Sequence, residues 1–183
     1  MRASFSFYLD DRSNIRLDNQ LGGGSMFDVG CYNLHAIRNI IGQEPSSIYA
    51  SANYHPEFKV DMTMTGTLNF DNGIVTSFDS SFDCAPRQTY EVVGSKGTIT
   101  VTSAYRPDTN EDMTGEIHVV KDDSSVEIYE ESGDQYTLMV EDFANAVLNN
   151  QHLTYDVTSM QQQMKVLDAV YESSKTGGKV VKL

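Results

Sequence analysis

Between Ser47 and Tyr129 the chain is cut by turn signals into short segments that alternate apolar and polar residues. Such alternation puts successive side chains on opposite faces of an extended strand. The segments are Ser47–Tyr54, Met62–Phe70, Ile74–Phe82, Thr89–Val93, Thr98–Thr102, Ile117–Val120 and Val126–Tyr129. Asp71-Asn72-Gly73 and Gly94-Ser95-Lys96-Gly97 separate neighbouring segments and read as hairpin turns, because glycine and asparagine tolerate the positive φ these turns need. Gly94–Gly97 lacks the spacing and following helix of a phosphate-binding loop. An earlier strand is expected at Ala3–Leu9, and a short closing one at Lys179–Leu183.

The flanks follow a different period. Residues 10–24 are polar and then glycine-rich, a loop, and lead into a helix expected from Met26 to Ile41, stopped by Gly42. Tyr136–Leu148 and Val157–Ser174 repeat apolar residues at helical spacing. Residues 104–115 read as a long loop. Strands in the middle with helices at the edges predict an α+β fold, a large, mostly antiparallel open sheet with helices packed on one face. A chain of 183 residues fits one such domain, residues 1–183. The chain opens directly on a strand, which leads us to expect a fragment whose upstream part is missing.

Charge narrows the partners. A net charge of −13 argues against nucleic acid and against an anionic membrane surface. No apolar run approaches the roughly 18 residues of a spanning helix, and the first residues reach Asp10 and Asp11 too soon for a secretory signal. With only Cys31 and Cys84, two reduced thiols in a cytoplasmic protein are expected.

The chemistry concentrates in Gly22-Gly23-Gly24-Ser25-Met26-Phe27-Asp28-Val29-Gly30-Cys31-Tyr32. At about 100° per residue, Tyr32, His35 and Asn39 project within roughly 40° of Asp28, opposite Met26, Phe27, Gly30, Leu34, Ile37 and Ile41. An amphipathic surface helix explains the polar stripe equally well. Its residues, however, are an acid, a phenol, an imidazole and an amide rather than a Glu/Lys mixture, and these are groups that donate, accept or shuttle protons. Asp28, Cys31 and His35 do not make a metal site, for want of a second ligand cluster. Arg16 and Arg87 are candidates to meet an anion or a hydroxyl, or are ordinary surface residues.

Four blocks in order carry a resemblance across almost the whole chain. They are Gly22–Tyr32 with Gly42-Gln43-Glu44-Pro45, Tyr90–Ile99, Tyr136–Val147 with Glu141-Asp142-Phe143, and Val166–Ser173. The chain resembles the C-terminal domain of the glucose–fructose oxidoreductase, inositol dehydrogenase and rhizopine-catabolism (Gfo/Idh/MocA) oxidoreductase family, in its tyrosine-type branch. The resemblance implies a two-domain parent enzyme. In it an N-terminal Rossmann domain binds NAD or NADP, and the C-terminal domain supplies the substrate wall and the contact of a homodimer or homotetramer through the sheet. It implies Tyr32 as acid/base, where many members carry the histidine of a D-x-G-x-H motif, with Asp28 as the motif's aspartate. His35, Asn39, Arg16 and Arg87 are then substrate-binding candidates, and Gly22, Gly23 and Gly24 lie beside the cofactor. His35 stands where the inositol dehydrogenase branch has an aspartate, and Asn39 where it has a histidine. Both departures weaken any transfer of polyol specificity.

The implied activity is oxidation or reduction of a CH–OH group on a small-molecule sugar, polyol or diol. The family's lysine, from a Glu-Lys-Pro motif in the Rossmann domain, and its G-x-G-x-x-G turn are both missing from this sequence. The chain alone is therefore expected to bind no dinucleotide and to have no turnover. A non-catalytic dimerisation module and a free-standing sugar-binding domain are the competing readings.

Overall fold

A computed structural model of the chain describes residues 1–153 and 155–183. Nine strands form one sheet: β1 (Arg2–Tyr8), β2 (Ser47–Tyr54), β3 (Asp61–Asn69), β4 (Val75–Ser81), β5 (Asp83–Gly94), β6 (Gly97–Thr102), β7 (Thr114–Lys121), β8 (Val126–Ser132) and β9 (Val181–Lys182). Their order is β8-β7-β6-β5-β1-β4-β3-β2-β9. All neighbours run antiparallel except β1 and β4, which pair in parallel from Arg2↔Ser77 to Ser6↔Ser81. The helices are α1 (Cys31–Ile41), α2 (Gln135–Asn149) and α3 (Val157–Lys175). This is the α+β open sheet that the alternating segments predict. No helix among the described residues is long and apolar enough to cross a membrane.

The strand alternation sorts the two faces. Ala3, Ile48, Ala50, Met64, Leu68 and Phe78 are buried with Leu34 and Ile37 of α1 and Val166, Leu167 and Val170 of α3. α1 and α3 pack there because their apolar stripes have a matching surface to cover, whereas α2 buries only Ala146. The opposite face is open and mixed, mostly polar at its centre, with Val93, Val120, Val126 and Ile128 exposed toward the β8 edge. One cross-strand row runs Tyr49, Thr67, Ser77, Arg2, Glu91, Thr100, His118 and Ile128, with Arg2 paired to Glu91 at 2.7 Å.

Two local departures from sequence expectation matter. β5 begins at Asp83 rather than Thr89. Pro86 signals an interruption, but the β1–β5 register shifts between Ser6 and Tyr8, and an irregularity of this kind accommodates a proline that cannot donate to the ladder. The second departure lies at the start of the first helix. Met26–Gly30 form a π-turn, with the Cys31 N–H donating to the Met26 carbonyl, before regular α-helix begins. Val29 turns inward as a result, 5% exposed, while Phe27, expected on the packed side, is 41% exposed and stacks on Tyr171. Gly30 takes the close-packed place expected of it: a Cβ there would lie 2.6 Å from the Met26 sulfur and 2.9 Å from Ser80 Oγ.

Asp61 sets that turn in place. Its carboxylate, 1% exposed, accepts hydrogen bonds from Ser25 Oγ (2.9 Å), Met26 N (2.7 Å) and the Tyr171 hydroxyl (2.8 Å). β3, the loop before the helix and α3 thus meet at one group. Gly24 has φ +122°, and a Cβ there would stand 2.2 Å from Asp61 Oδ1, so only glycine passes. Desolvation raises the pKa of Asp61 despite its three donors. A folded-state pKa above the unfolded one gives stability that is present below the ordinary carboxylate range and is lost as pH rises through the folded value. The stability of the chain relative to Asp61→Asn is therefore expected to increase as pH falls from 7 toward 4; urea unfolding midpoints at both ends of that range check the sign. Asp61→Ala, which strands three donors, is expected to cost about 3 kcal/mol or more at neutral pH.

Candidate active site

Tyr32 opens into a cleft of about 580 Å³ whose polar lining includes Arg16, Asp28, Arg87, Arg106 and Tyr136. Seven parts of the chain converge here: β1, the loop ahead of the first helix, the π-turn, the start of α1, β5, the 106–109 loop before β7 and the start of α2. The glycine loop positions Arg16. Gly23 N and Gly24 N donate to the Asp18 and Arg16 carbonyls, each at 2.9 Å, and a Cβ on Gly23 would lie 2.5 Å from the Arg16 oxygen. Arg16 Nε then meets Asp28 Oδ2 at 2.7 Å. Arg87 pairs with Asp79 and reaches Ser6 Oγ at 3.1 Å. Arg106 grips Asp108 through Nε and Nη2, the latter at 2.7 Å, and its guanidinium sits 5.8 Å from the Tyr136 ring centroid.

Each cleft arginine is thus matched by an aspartate. A fork of donors fixed beside a fork of acceptors suits hydroxyl groups, which need both. The pairing also lowers the carboxyl of Asp108 to about 2, through hydrogen bonds from Arg106 and Gln135. The backbone of Arg106 is held as well, its N–H donating to Gln88 Oε1 at 2.7 Å.

Tyr32 is 40% exposed. Its ring meets Phe5 edge-on at 5.6 Å and Tyr105 at 5.8 Å, and Phe5 stacks on Tyr105 at 5.1 Å. This apolar backing desolvates the phenol and raises its pKa; Cys31, Tyr136 and Asp28 add to the rise, and Arg106 opposes it. At neutral pH the Tyr32 phenol keeps its proton. Cys31, beside it, is pushed up to about 11 by burial and is an unreactive thiol.

His35 and Asn39 line a different cleft, of about 310 Å³, with Arg38, Glu44, Tyr155 and Ser159. The wheel projection that groups them with Tyr32 suppresses the helix axis, along which Asn39 lies about 10 Å farther on at 1.5 Å per residue. Burial and the charge of Arg38 lower the pKa of His35. Arg38 itself is buried, its guanidinium bonded to Glu44 at 2.6 and 2.7 Å and to Gln163 Oε1 at 2.6 Å. Gly22 and Gly23 border a third, smaller cleft with Phe27, Asp61 and Tyr171. Among the described residues there is no cluster of His, Cys, Asp and Glu suited to a metal ion.

Sequence reasoning overlooks Arg106 and Tyr136. The signal available was a single arginine in an otherwise acidic loop, Tyr105-Arg106-Pro107-Asp108.

A family model described as the GFO/IDH/MocA C-terminal domain matches residues 1–100. The D-xylose 1-dehydrogenase (NADP(+)) 2 of Haloferax volcanii is 34% identical over 179 residues, covering 97% of this chain and 54% of that protein. The chain belongs to the GFO/IDH/MocA family. Among solved structures, the aldose-aldose oxidoreductase of Caulobacter crescentus matches with a TM-score of 0.86 at 21% identity, over 100% of this chain and 54% of that one. The 3-ketoreductase KijD10 of Actinomadura kijaniata, in complex with NADP and TDP-benzene, gives 0.83 at 22%, over 93% and 52%. These two likenesses establish the GFO/IDH/MocA C-terminal fold. The chain spans about half the length of the curated relatives it matches.

Arg106 is the cation that favours the ionised form of Tyr32. Arg106→Met is expected to raise the Tyr32 pKa further, read by ¹³C chemical shifts of labelled tyrosine across an alkaline titration. An unchanged or lower value would mean that Arg106 does not act on the phenol.

Proposed function

We propose that this chain is the C-terminal substrate-binding and oligomerisation domain of an NAD(P)-dependent oxidoreductase acting on the CH–OH group of a sugar, polyol or diol. Supporting this reading is a half-buried tyrosine at the wall of a cleft lined by the Arg16–Asp28 pair and by Arg87 and Arg106, in a GFO/IDH/MocA chain 34% identical to a D-xylose dehydrogenase.

The residues of this chain do not fit a dinucleotide by themselves. The amides of Gly23 and Gly24 already serve the Asp18 and Arg16 carbonyls, and the loop leads into a π-turn rather than linking strand to helix in a βαβ unit. In this proposal a nucleotide-binding domain lies outside residues 1–183. NAD or NADP, when bound there, supplies or receives the hydride.

The chain's own part is positioning and proton transfer. The Arg16–Asp28 pair and Arg87 hold the substrate hydroxyls. In reduction the Tyr32 hydroxyl gives its proton to the carbonyl oxygen as that carbon gains hydride, leaving an alcohol and a phenolate. In oxidation the phenolate takes the hydroxyl proton as hydride leaves the same carbon. The raised pKa of Tyr32 keeps the phenol protonated, the form that reduction uses; the oxidative direction uses the phenolate, which the positive charge of Arg106 favours. The polar row across the open sheet face is the surface for a homodimer or homotetramer.

The test joins a nucleotide-binding domain to the chain and screens aldoses, polyols and diols. Tyr32→Phe is expected to lower kcat at least 100-fold with little change in KM, the size general acid–base catalysis supplies. Unaltered turnover in that variant would remove Tyr32 from the chemistry. The 183-residue chain with NAD or NADP alone is expected to oxidise none of these compounds.

A further inference from the structure

The wall of the Tyr32 cleft offers more hydrogen-bond donors than acceptors. Arg16, Arg87 and Arg106 all line it, and Asp28 is its one carboxylate among the described residues. Asp79 and Asp108 are not part of the lining, and both are occupied. Asp79 accepts from Ser4 Oγ at 2.6 Å and from Arg87 Nη2, and Asp108 accepts from Arg106 and Gln135. These pairs cancel charge at long range, but at contact distance the balance differs. Nη1 of Arg87, Nη1 of Arg106 and both terminal nitrogens of Arg16 meet no acceptor among the described residues.

The neutral acceptors of the wall are already engaged. Asn14 Oδ1 accepts from Arg16 N at 3.0 Å, and Gln88 Oε1 from Arg106 N at 2.7 Å. The Ser6 hydroxyl donates to the Ala85 carbonyl and accepts from Arg87 Nε. The Thr109 hydroxyl donates to the Arg106 carbonyl and accepts from Gln88 Nε2. Asp28 keeps Oδ1, since Arg16 takes Oδ2. Hydroxyl groups call for donors and acceptors together, whereas a carboxylate only accepts. Of the three arginines Arg106 is held most firmly: Asp108 grips Nε and Nη2, Gln135 grips Asp108 in turn, and the Arg106 N–H is bound to Gln88. A guanidinium fixed in advance loses little freedom when it binds.

We propose that the substrate is an anionic sugar, a polyhydroxylated molecule bearing a carboxylate, and that Arg106 selects it by donating from Nη1 to that carboxylate in the cleft it shares with Tyr32. This rests on the oxidoreductase reading of the same cleft. The Arg16–Asp28 pair, which keeps both free donors and a free acceptor, serves the hydroxyls together with Arg87. A chain of net charge −13 does not draw an anion in from a distance. The selection arises on contact, from charge-assisted hydrogen bonds to a guanidinium already in place. A cleft of about 580 Å³ has room for the acid of a monosaccharide.

The test compares molecules that differ only in the acid group: gluconate with glucitol, and glucuronate with glucose. Calorimetric titration of the 183-residue chain needs no cofactor, and the acid of each pair is expected to bind at least 10-fold more tightly than its neutral partner. In the chain joined to a nucleotide-binding domain, the acid is expected to have the higher kcat/KM by at least 10-fold, through KM. Arg106→Met is expected to collapse the acid-to-neutral ratio at least 10-fold in both measurements; any effect of that variant on the Tyr32 phenol falls on both members of a pair and cancels in the ratio. Equal affinity for acid and neutral partner in the unmodified chain overturns the proposal without recourse to a variant. So does an Arg106→Met protein that loses acid and neutral partner alike. Selective binding of the acids with no turnover in the joined protein overturns the oxidoreductase reading and leaves the carboxylate site standing. Turnover with no preference for the acids does the reverse.

Discussion

The site hangs on one buried carboxylate. Asp61 comes from the start of β3, yet its two oxygens hold the hydroxyl of Ser25, the N–H of Met26 and the phenol of Tyr171. A carboxylate taken out of water is costly unless donors surround it, and here they come from the head of the first helix and from α3. The loop, the first helix and α3 are therefore registered against the sheet by the same group. The π-turn that follows aims Asp28 and Tyr32 into one cleft. A hydrophobic contact at this point would permit sliding; three directed hydrogen bonds do not.

The electrostatics of the cleft run against those of the chain. A net charge of −13 would repel a second anion from an open surface. Within the cleft, arginines from the 16 loop, β5 and the 106 loop each face an aspartate. The arrangement leaves little net charge, and many fixed donors and acceptors at a mouth wide enough for a small polyhydroxylated molecule. Tyr32 stands among them against apolar rings, which raise the pKa of its phenol.

Most of the strand and helix plan was legible from periodicity and turn residues, because those signals are local. Asp71–Gly73 and Gly94–Gly97 turn where such residues turn easily, and Gly42 stops α1 at φ +70°. What stayed hidden was long-range or a matter of phase. Nothing local to Met26–Gly30 announces a π-turn; it follows from Asp61, 35 residues away in sequence from Met26. Arg38 reads as a surface residue until Glu44 and Gln163 close over it. His35 and Asn39 share an angle with Tyr32 but not a depth. Arg106 belongs to the cleft only because Gln88 of β5 fixes the loop that carries it. Pro86, a reliable stop within a straight strand, misleads at a register shift.

β1 lies at the centre of the sheet, although it comes first in the chain. On one side of it β4-β3-β2 form an antiparallel meander, and on the other β5-β6-β7-β8 form a second. Each can assemble from neighbours in sequence. Only β1 joins them laterally, and it does so through pairings such as Arg2↔Ser77 and Arg2↔Glu91, whose loop-closure entropy is exceeded in the sheet only by that of the short β2–β9 pairing. The first eight residues therefore act as a late-closing seam. Phe5, which backs the Tyr32 ring, belongs to that seam, so the wall of the cleft is finished in the same step that turns two half-sheets into one.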